Sequence, residues 1–294
     1  MKASSKTACL GLVSFLFCNA HAQAFTVYVS NSGSDVVEQY NSSGVGSAFA
    51  SVPTPEGIAA DASGNIYVAT FYDISVVKLN SGGQSTVFAN SGLNGPEGIA
   101  FDSNGNLYVA NWGDNTIEKF NSSGQGTVFA STGLNGPQGL AFDSGGNLYV
   151  ANQYSGTIMK FNSGGQGTLF ANSLPGYNQP IGIAFDRNGN LYVASAEGNA
   201  IEKFDSSGQG SIFATSGLSN PEGLAFDDSG NLFVANYNNN SVVKFDSSGH
   251  GSLFTSSGLN EPGWIMIVPE PSTSAILALA PLFLIVRSRI RSVK

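Results

Sequence analysis

Four polar side chains stand just before recurring apolar segments, where they could bind a ligand or a metal ion. They are Glu56, Glu97, Gln138 and Glu222. Carboxylate oxygens are the ligands that Ca²⁺ and other hard divalent cations prefer, and a carboxylate-bound metal can supply a hydroxide for hydrolysis. The alternative is that these side chains accept hydrogen bonds from loop backbone. No cofactor is assigned, and a divalent cation held by the three glutamates stays open.

Aromatic side chains accompany these polar groups in segments that differ from one another. Phe71, Tyr72, Trp112, Tyr154 and Tyr237 are flanked by amides and carboxylates. Aromatic rings and hydrogen-bonding groups together can hold a polysaccharide or a peptide, whereas the alternative is that the rings cover the ends of strands. The sequence predicts a ligand site formed by Glu56, Glu97, Gln138, Glu222, Trp112, Tyr154 and Tyr237.

Groups that commonly perform catalysis are scarce in this sequence. Cys9 and Cys18 both lie within the first twenty residues, and His250 is the one histidine after residue 24. The motifs Gly-x-Ser-x-Gly, His-Glu-x-x-His and Cys-x-x-Cys do not occur, so no serine-hydrolase elbow, zinc-binding helix or redox dithiol is predicted. No catalytic residue and no metal-ligand set is assigned.

A repeat of about forty residues must position the candidate site. Its clearest mark is an Asn-apolar-aromatic-Val tetrapeptide at 65–68, 106–109, 147–150, 190–193 and 231–234, spaced by 41, 41, 43 and 41 residues. One unit holds four short apolar or alternating runs, at 98–101, 107–110, 116–120 and 126–129. Four short strands separated by Gly, Asn and Ser, with no segment long enough for a helix, are typical of a propeller blade.

Six such units fit residues 25–268. The N-terminal unit lacks a first strand, and the C-terminal unit, 263–267, consists of a first strand alone. Pairing of the two chain ends would close the ring and remove its exposed edges. Charged residues make up only 11% of the chain and glycines number 37, which disfavours a helical protein. The sequence predicts an all-β, monomeric, six-bladed propeller with four strands in each blade.

The units resemble NHL repeats. The pattern Pro-x-Gly-Ile-Ala, then Gly-Asn-apolar-Tyr-Val, then apolar-x-Lys-Phe is met by 96–100, 105–109 and 117–120, and the last unit, 263–267, departs from it. The resemblance implies a six-bladed β-propeller. Propellers of this kind include gluconolactonase-like metal hydrolases, virginiamycin B lyase and binding scaffolds, so it leaves activity open. A lyase of that type would need channel histidines, which this sequence lacks.

The first 24 residues are typical of a secretory signal peptide. Lys2 and Lys6 precede the apolar run 8–17, and small residues follow. Cleavage is expected after Ala22 or Ala24. The protein is therefore expected to be exported.

Residues 269–294 resemble a PEP-CTERM sorting signal, because Pro269, Glu270 and Pro271 precede the apolar run 275–286 and a basic tail. The resemblance implies a short transmembrane helix that holds the chain in the membrane before an exosortase-type sorting enzyme cleaves it near this motif. An ordinary C-terminal anchor helix is the alternative. The expected location is the cell envelope, cell surface or extracellular matrix of a bacterium.

The charge of residues 25–268 narrows the choice of partner. Six basic side chains stand against nineteen acidic ones, a net charge of −13, so nucleic acid is not an expected partner. Five lysines share one place in the third strand of their units and are expected to form a solvated row. They are Lys78, Lys119, Lys160, Lys203 and Lys244.

The sequence predicts a non-catalytic, surface-anchored propeller whose loop face binds extracellular polysaccharide, a protein or a small ligand. The loop face is the side of the ring where the chain enters each inner strand and leaves each second strand. The alternative is a metal-dependent enzyme like the gluconolactonases, or a lyase-like enzyme, with carboxylates at the central channel. These two hypotheses differ in whether the channel carboxylates take part in turnover.

Overall fold

Six antiparallel sheets of four strands form a closed ring in the computed structural model, which describes residues 24–270. The prediction of an all-β, six-bladed propeller is confirmed. Blade 1 has the strand order β24-β1-β2-β3, and blades 2 to 6 follow along the chain with four consecutive strands each. Ala22 and Pro271, two of the predicted processing residues, lie outside the described residues. Within residues 24–270 no helix is long and apolar enough to cross a membrane.

The strands of blades 1 to 3 are β1 (Phe25–Asn31), β2 (Val36–Asn41), β3 (Gly46–Ser51), β4 (Pro55–Ala60), β5 (Ile66–Thr70), β6 (Ser75–Leu79), β7 (Ser85–Ala89), β8 (Pro96–Phe101), β9 (Leu107–Asn111), β10 (Thr116–Phe120) and β11 (Gly126–Ala130). A short 3-10 helix, Ser32–Ser34, follows β1. The strands of blades 4 to 6 and the closing strand are β12 (Pro137–Phe142), β13 (Leu148–Asn152), β14 (Thr157–Phe161), β15 (Gly167–Asn172), β16 (Pro180–Phe185), β17 (Leu191–Ser195), β18 (Ala200–Phe204), β19 (Gly210–Ala214), β20 (Pro221–Phe226), β21 (Leu232–Asn236), β22 (Ser241–Phe245), β23 (Gly251–Thr255) and β24 (Pro262–Pro269).

The two ends of the described chain close the ring. β24 pairs antiparallel with β1, from Phe25 opposite Pro269 to Asn31 opposite Pro262. The Glu270 N–H continues this pairing by donating to the Ala24 carbonyl oxygen at 2.9 Å. Three of the predicted processing residues therefore lie beside one another where the pairing of β1 and β24 ends: Ala24, Pro269 and Glu270.

The second strand of each blade is apolar on both faces because every blade packs between two others. In β9, Leu107 and Val109 enter the core shared with blade 2. Tyr108 and Ala110 of the same strand enter the core shared with blade 4. This two-sided burial explains the near-continuous apolar run, since no side of the strand faces water.

Glycine lets the inner strands touch around the channel. A Cβ added at Gly223 would lie 2.7 Å from the Gly263 carbonyl oxygen and the Ile265 nitrogen of the next blade, which is closer than real side-chain atoms approach. The same close approach occurs at Gly57, Gly98, Gly139 and Gly182. The sixth equivalent place holds Trp264. Its indole ring reaches from blade 1 to within 3.0 Å of the Cβ position of Gly98 in blade 3.

The lysine side chains of this row are 34–37% exposed, and each also forms an ion pair that the sequence did not predict. Lys119 Nζ lies 3.8 Å from Asp102 Oδ2 and 5.2 Å from the ring centroid of Tyr108. Asp102 Oδ1 accepts the backbone N–H groups of Asn104 and Asn106, which shapes the hairpin between β8 and β9. Equivalent lysine–aspartate pairs occur at Lys78, Lys160, Lys203 and Lys244. Blade 1 has no hairpin between its first two strands and carries Gln39 at this place.

A side-chain hydrogen bond that we call the interblade latch joins neighbouring blades on the loop face. Asn115 has a φ of +58° and accepts the Gly136 N–H of the next blade at 2.6 Å. The same bond is made by Asp35 to Thr54, Asn199 to Asn220 and Asn240 to Glu261. Ile74 and Gly156 occupy the two remaining equivalent places and cannot accept it.

Replacing Ile74 with Asn should stabilise the propeller. Ile74 is a β-branched residue at φ +48° and is 43% exposed, a conformation that costs about 1–3 kcal/mol. Asn tolerates this region and would supply the missing latch to the Gly95 N–H. The melting temperature should rise by roughly 2–4 °C for each 1 kcal/mol gained. Asn115→Ile is the matched control and should lower it, and an unchanged melting temperature in both variants would contradict the latch.

Candidate functional site

The predicted polar residues do form a ring at the mouth of the channel on the loop face. Each follows a proline at the start of an inner strand, and in five of the six blades a glycine comes next, so all six blades contribute one residue at the same height. In blade order from blade 2 to blade 1, the ring is Glu56, Glu97, Gln138, Ile181, Glu222 and Gly263. The ring is therefore asymmetric, with three carboxyls, one amide, one apolar side chain and one open place.

Two of the carboxyls converge over the open place. A Cβ at Gly263 would lie 3.2 Å from Glu222 Oε2 and 3.4 Å from Glu56 Oε2. Burial raises the pKa of both carboxyls well above the usual value, and the neighbouring carboxylates raise it further. Burial and like charge therefore both disfavour the ionised form of these two carboxyls.

The third carboxyl, Glu97, is held by two donors. The side chains of Gln138 and Trp264 both hydrogen-bond to it, which favours its ionised form. Burial acts in the other direction and dominates, followed by the charge of Glu222, so the pKa of Glu97 is raised to about 8. Sequence reasoning did not assign Trp264 to the site. The signal was available, because Trp264 replaces the glycine that follows the ring position in the other five units.

The ring does not fit a divalent cation. Within residues 24–270 no group of three or more His, Cys, Asp or Glu side chains is arranged to hold a metal ion. Glu97 is engaged by Gln138 and Trp264, and burial together with neighbouring carboxylates raises the pKa of Glu56 and of Glu222 well above the usual value. A hard cation needs several ionised oxygen ligands, which this donor set does not offer.

An aromatic row crosses three blades beside the ring. The Trp112 ring centroid lies 6.0 Å from that of Phe71 and 5.6 Å from that of Tyr154. Tyr72 packs edge-on against Phe71 at 5.1 Å. Tyr72 is 77% exposed and Tyr154 is 59% exposed, while Phe71 and Trp112 are half-buried. The four residues Phe71, Tyr72, Trp112 and Tyr154 form what we call the aromatic row.

Glutamine side chains connect this row to the channel. Trp112 Nε1 donates to Gln153 Oε1 at 3.1 Å, and Gln138 Nε2 donates to the same oxygen at 3.4 Å. Gln138 in turn bonds to Glu97. Sequence reasoning did not assign Gln153, whose place is taken by an aromatic residue in blades 2, 3 and 6.

Tyr237 lies apart from the aromatic row, in blade 6, which is opposite blade 3 in the ring. Its side chain hydrogen-bonds to Glu261. Burial and the charges of Glu261, Glu222 and Glu56 raise the pKa of Tyr237 to about 12. The carboxyls of Glu56, Glu97 and Glu222 thus interact with one another, whereas Trp112 and Tyr154 lie in blades 3 and 4 and Tyr237 lies in blade 6.

Clefts open on both faces of the ring. On the loop face, a cavity of about 300 Å³ lies between blades 4 and 5 beside Tyr154 and Glu197. A larger cavity of about 630 Å³ lies on the opposite face between the hairpins of blades 5 and 6, around Arg187 and Asp228. An equivalent crevice repeats between blades 3 and 4, so that cavity is a general feature of neighbouring hairpins.

The raised carboxyl pKa values should make the folded state less stable at high pH. A carboxyl whose folded pKa is about 8 instead of 4.5 binds a proton more tightly when folded, so stability falls as pH rises through that interval. Glu97→Gln removes this contribution and should flatten the fall in melting temperature between pH 5 and pH 9. The wild-type protein is the reference, and a slope as steep in Glu97→Gln as in the wild type would rule out the protonated Glu97.

Several solved structures share this fold. A chain of a nidogen/laminin complex is 22% identical with a TM-score of 0.73, and the match covers 83% of this chain and 98% of that chain. A catalytically inactive histidine-to-alanine variant of virginiamycin B lyase from Staphylococcus aureus, solved with quinupristin, is 17% identical with a TM-score of 0.61, covering 82% of this chain and 78% of that chain. A gluconolactonase from Xanthomonas campestris is 22% identical with a TM-score of 0.63, covering 72% and 79%. These likenesses show the fold.

Curated proteins gave no match to the sequence. The match to a family model is extensive, however, because it runs from residue 47 to residue 262. That span begins in β3 and ends at the first residue of β24, so it includes all of blades 2 to 6. The chain therefore belongs to the virginiamycin B lyase family.

Proposed function

We propose that this propeller is an exported binding module that recognises extracellular polysaccharide through its loop face. The observation that carries the proposal is the aromatic row, in which Phe71, Trp112 and Tyr154 present a continuous series of rings across three blades. Sugar rings have apolar faces that stack on aromatic side chains and hydroxyl edges that bond to amides and carboxyls. Gln153 supplies such an amide directly beside the row.

The position of the one histidine among residues 24–270 supports binding over lyase activity. The S. aureus virginiamycin B lyase is catalytically inactive in a histidine-to-alanine variant. The one histidine among residues 24–270 is His250, in the turn between β22 and β23. Its side chain is 83% exposed and lies 3.4 Å from Asp246 on the hairpin side, away from the ring of carboxyls. Residues 24–270 therefore place no histidine at the loop face that could act in catalysis.

Export and anchoring complete the proposal and rest on the sequence. Residues 1–24 supply a signal peptide, and residues 269–294 supply a PEP-CTERM-like signal for an exosortase-type enzyme and a membrane-inserted stage before cleavage. The final location would be the cell surface or extracellular matrix. A protein partner on the same face is the other form that binding could take.

Trp112→Ala should weaken binding of the full chain to polysaccharide by at least tenfold, because burying an aromatic ring contributes about 1.5–3 kcal/mol and 1.4 kcal/mol is tenfold. A glycan array followed by calorimetric titration measures this. Val128→Ala is the control, since it removes an exposed apolar side chain, 62% exposed, from the outer strand β11, outside the aromatic row. Undiminished binding in Trp112→Ala would remove the aromatic row from the site.

Processing should remove both ends of the exported protein. Intact-mass analysis of the surface-bound form should show a new N-terminus after residue 22 or 24 and loss of the residues that follow the Pro269 to Pro271 motif. Residues 275–294 still attached to the surface-bound protein would favour a simple membrane anchor instead.

Acid–base catalysis at the channel is the second candidate function. It is favoured by Glu97, whose raised pKa of about 8 keeps its carboxyl protonated near neutral pH, as a general acid requires. A lactone, which is a cyclic ester, would be the substrate class on which such an acid acts. Turnover of a lactone panel by the full chain, abolished in Glu97→Gln, would establish this candidate. Binding of glycans without turnover would favour the first.

A further inference from the structure

The repeat is interrupted most strongly where blade 4 meets blade 5. The segment from the start of β15 to the start of β16 is two residues longer than its counterparts that lead into β8, β12, β20 and β24, which produces the one spacing of 43 residues. Ile181 replaces the polar ring residue and Ser195 replaces the asparagine that ends the second strand in blades 1, 3, 4 and 6. Gly156 replaces the latch residue. Four departures from the repeat therefore meet at one junction.

The loss of the latch leaves a donor free. At the junction of blades 3 and 4, Asn115 accepts the Gly136 N–H. At the junction of blades 4 and 5 the corresponding N–H belongs to Gln179, which has the same positive φ of +56°. Within residues 24–270 the Gln179 N–H has no hydrogen-bond acceptor. A Cβ added at Gly156 would meet nothing within 4 Å, so the latch position is open space.

The open space is the cavity of about 300 Å³ on the loop face, which is at the lower end of the sizes of ligand pockets. Its lining combines one aromatic ring with several hydrogen-bonding groups: Gln153, Tyr154, Ser155, Asn178, Gln179 and Glu197. Tyr154 is the last residue of the aromatic row, so the cavity lies next to the surface that Trp112 and Tyr154 form.

We infer that this cavity is the specificity pocket of the polysaccharide site and takes one uncharged pyranose unit. The inference rests on the proposed binding function and adds the place and the class of sugar. Tyr154 offers a stacking face, three amides and the Gln179 N–H bond to hydroxyls, and Glu197 accepts from them. An anionic sugar such as a uronic acid is disfavoured, because the pocket holds a carboxylate and no basic side chain, and residues 25–268 carry a net charge of −13.

Gly156→Asn provides the sharpest test, because it restores the residue found at the latch position of blades 3, 5 and 6. The new side chain should accept the Gln179 N–H and occupy part of the pocket, and the fold should tolerate it since Asn115, Asn199 and Asn240 adopt the same conformation. The full-length protein is titrated calorimetrically with maltohexaose, cellohexaose, mannohexaose and trigalacturonate. Asn115→Gly, which opens the latch at the neighbouring junction, is the matched control.

We expect the wild-type protein to bind at least one neutral hexasaccharide. Gly156→Asn should weaken this binding at least tenfold while its melting temperature is equal or higher. Asn115→Gly should leave the binding unchanged. Equal affinity of wild type and Gly156→Asn would overturn the assignment of the pocket as the sugar site. The aromatic row would then still be tested by Trp112→Ala. Preferential binding of trigalacturonate would overturn the class of sugar. Absence of binding to every glycan would overturn the proposed function together with the pocket.

Discussion

Pairing of β24 with β1 is the interaction on which the rest of the structure depends. Each blade buries both faces of its second strand against its neighbours, so an open array would leave one apolar face of each terminal blade in water. The antiparallel register from Phe25 and Pro269 to Asn31 and Pro262 removes those faces by completing blade 1 from both chain ends. The channel, the loop face and every junction between blades exist because this pairing closes the ring.

The two faces of the ring serve different purposes. On the hairpin side, aspartate, lysine and an aromatic ring form nearly the same cluster in five blades, and its absence from blade 1 follows from the absence of the hairpin there. On the loop face, the latch and ring positions differ from blade to blade. A repeat that holds its scaffold on one side can vary the other without loss of the fold.

Membership of the virginiamycin B lyase family and the geometry of the site address separate questions. The family match shows a shared fold and descent across blades 2 to 6, whereas chemistry depends on the groups that face the channel. Those groups are Glu56, Glu97, Gln138, Glu222 and Trp264, and none of them is a histidine. Carboxyls whose pKa is raised by burial are better suited to hydrogen bonding and proton donation than to binding a hard cation.

The sequence by itself determined the number of blades, the four-stranded unit and the way the ring closes, because repeat length, period-two patterning and turn residues are local signals. It also identified the ring positions, since Glu56, Glu97, Gln138 and Glu222 share a motif. It did not reveal the network from Trp112 through Gln153 to Gln138, the entry of Trp264 into the channel, or the separation of Tyr237 from Trp112. Those depend on which blades face each other, and only the closed ring decides which distant residues meet.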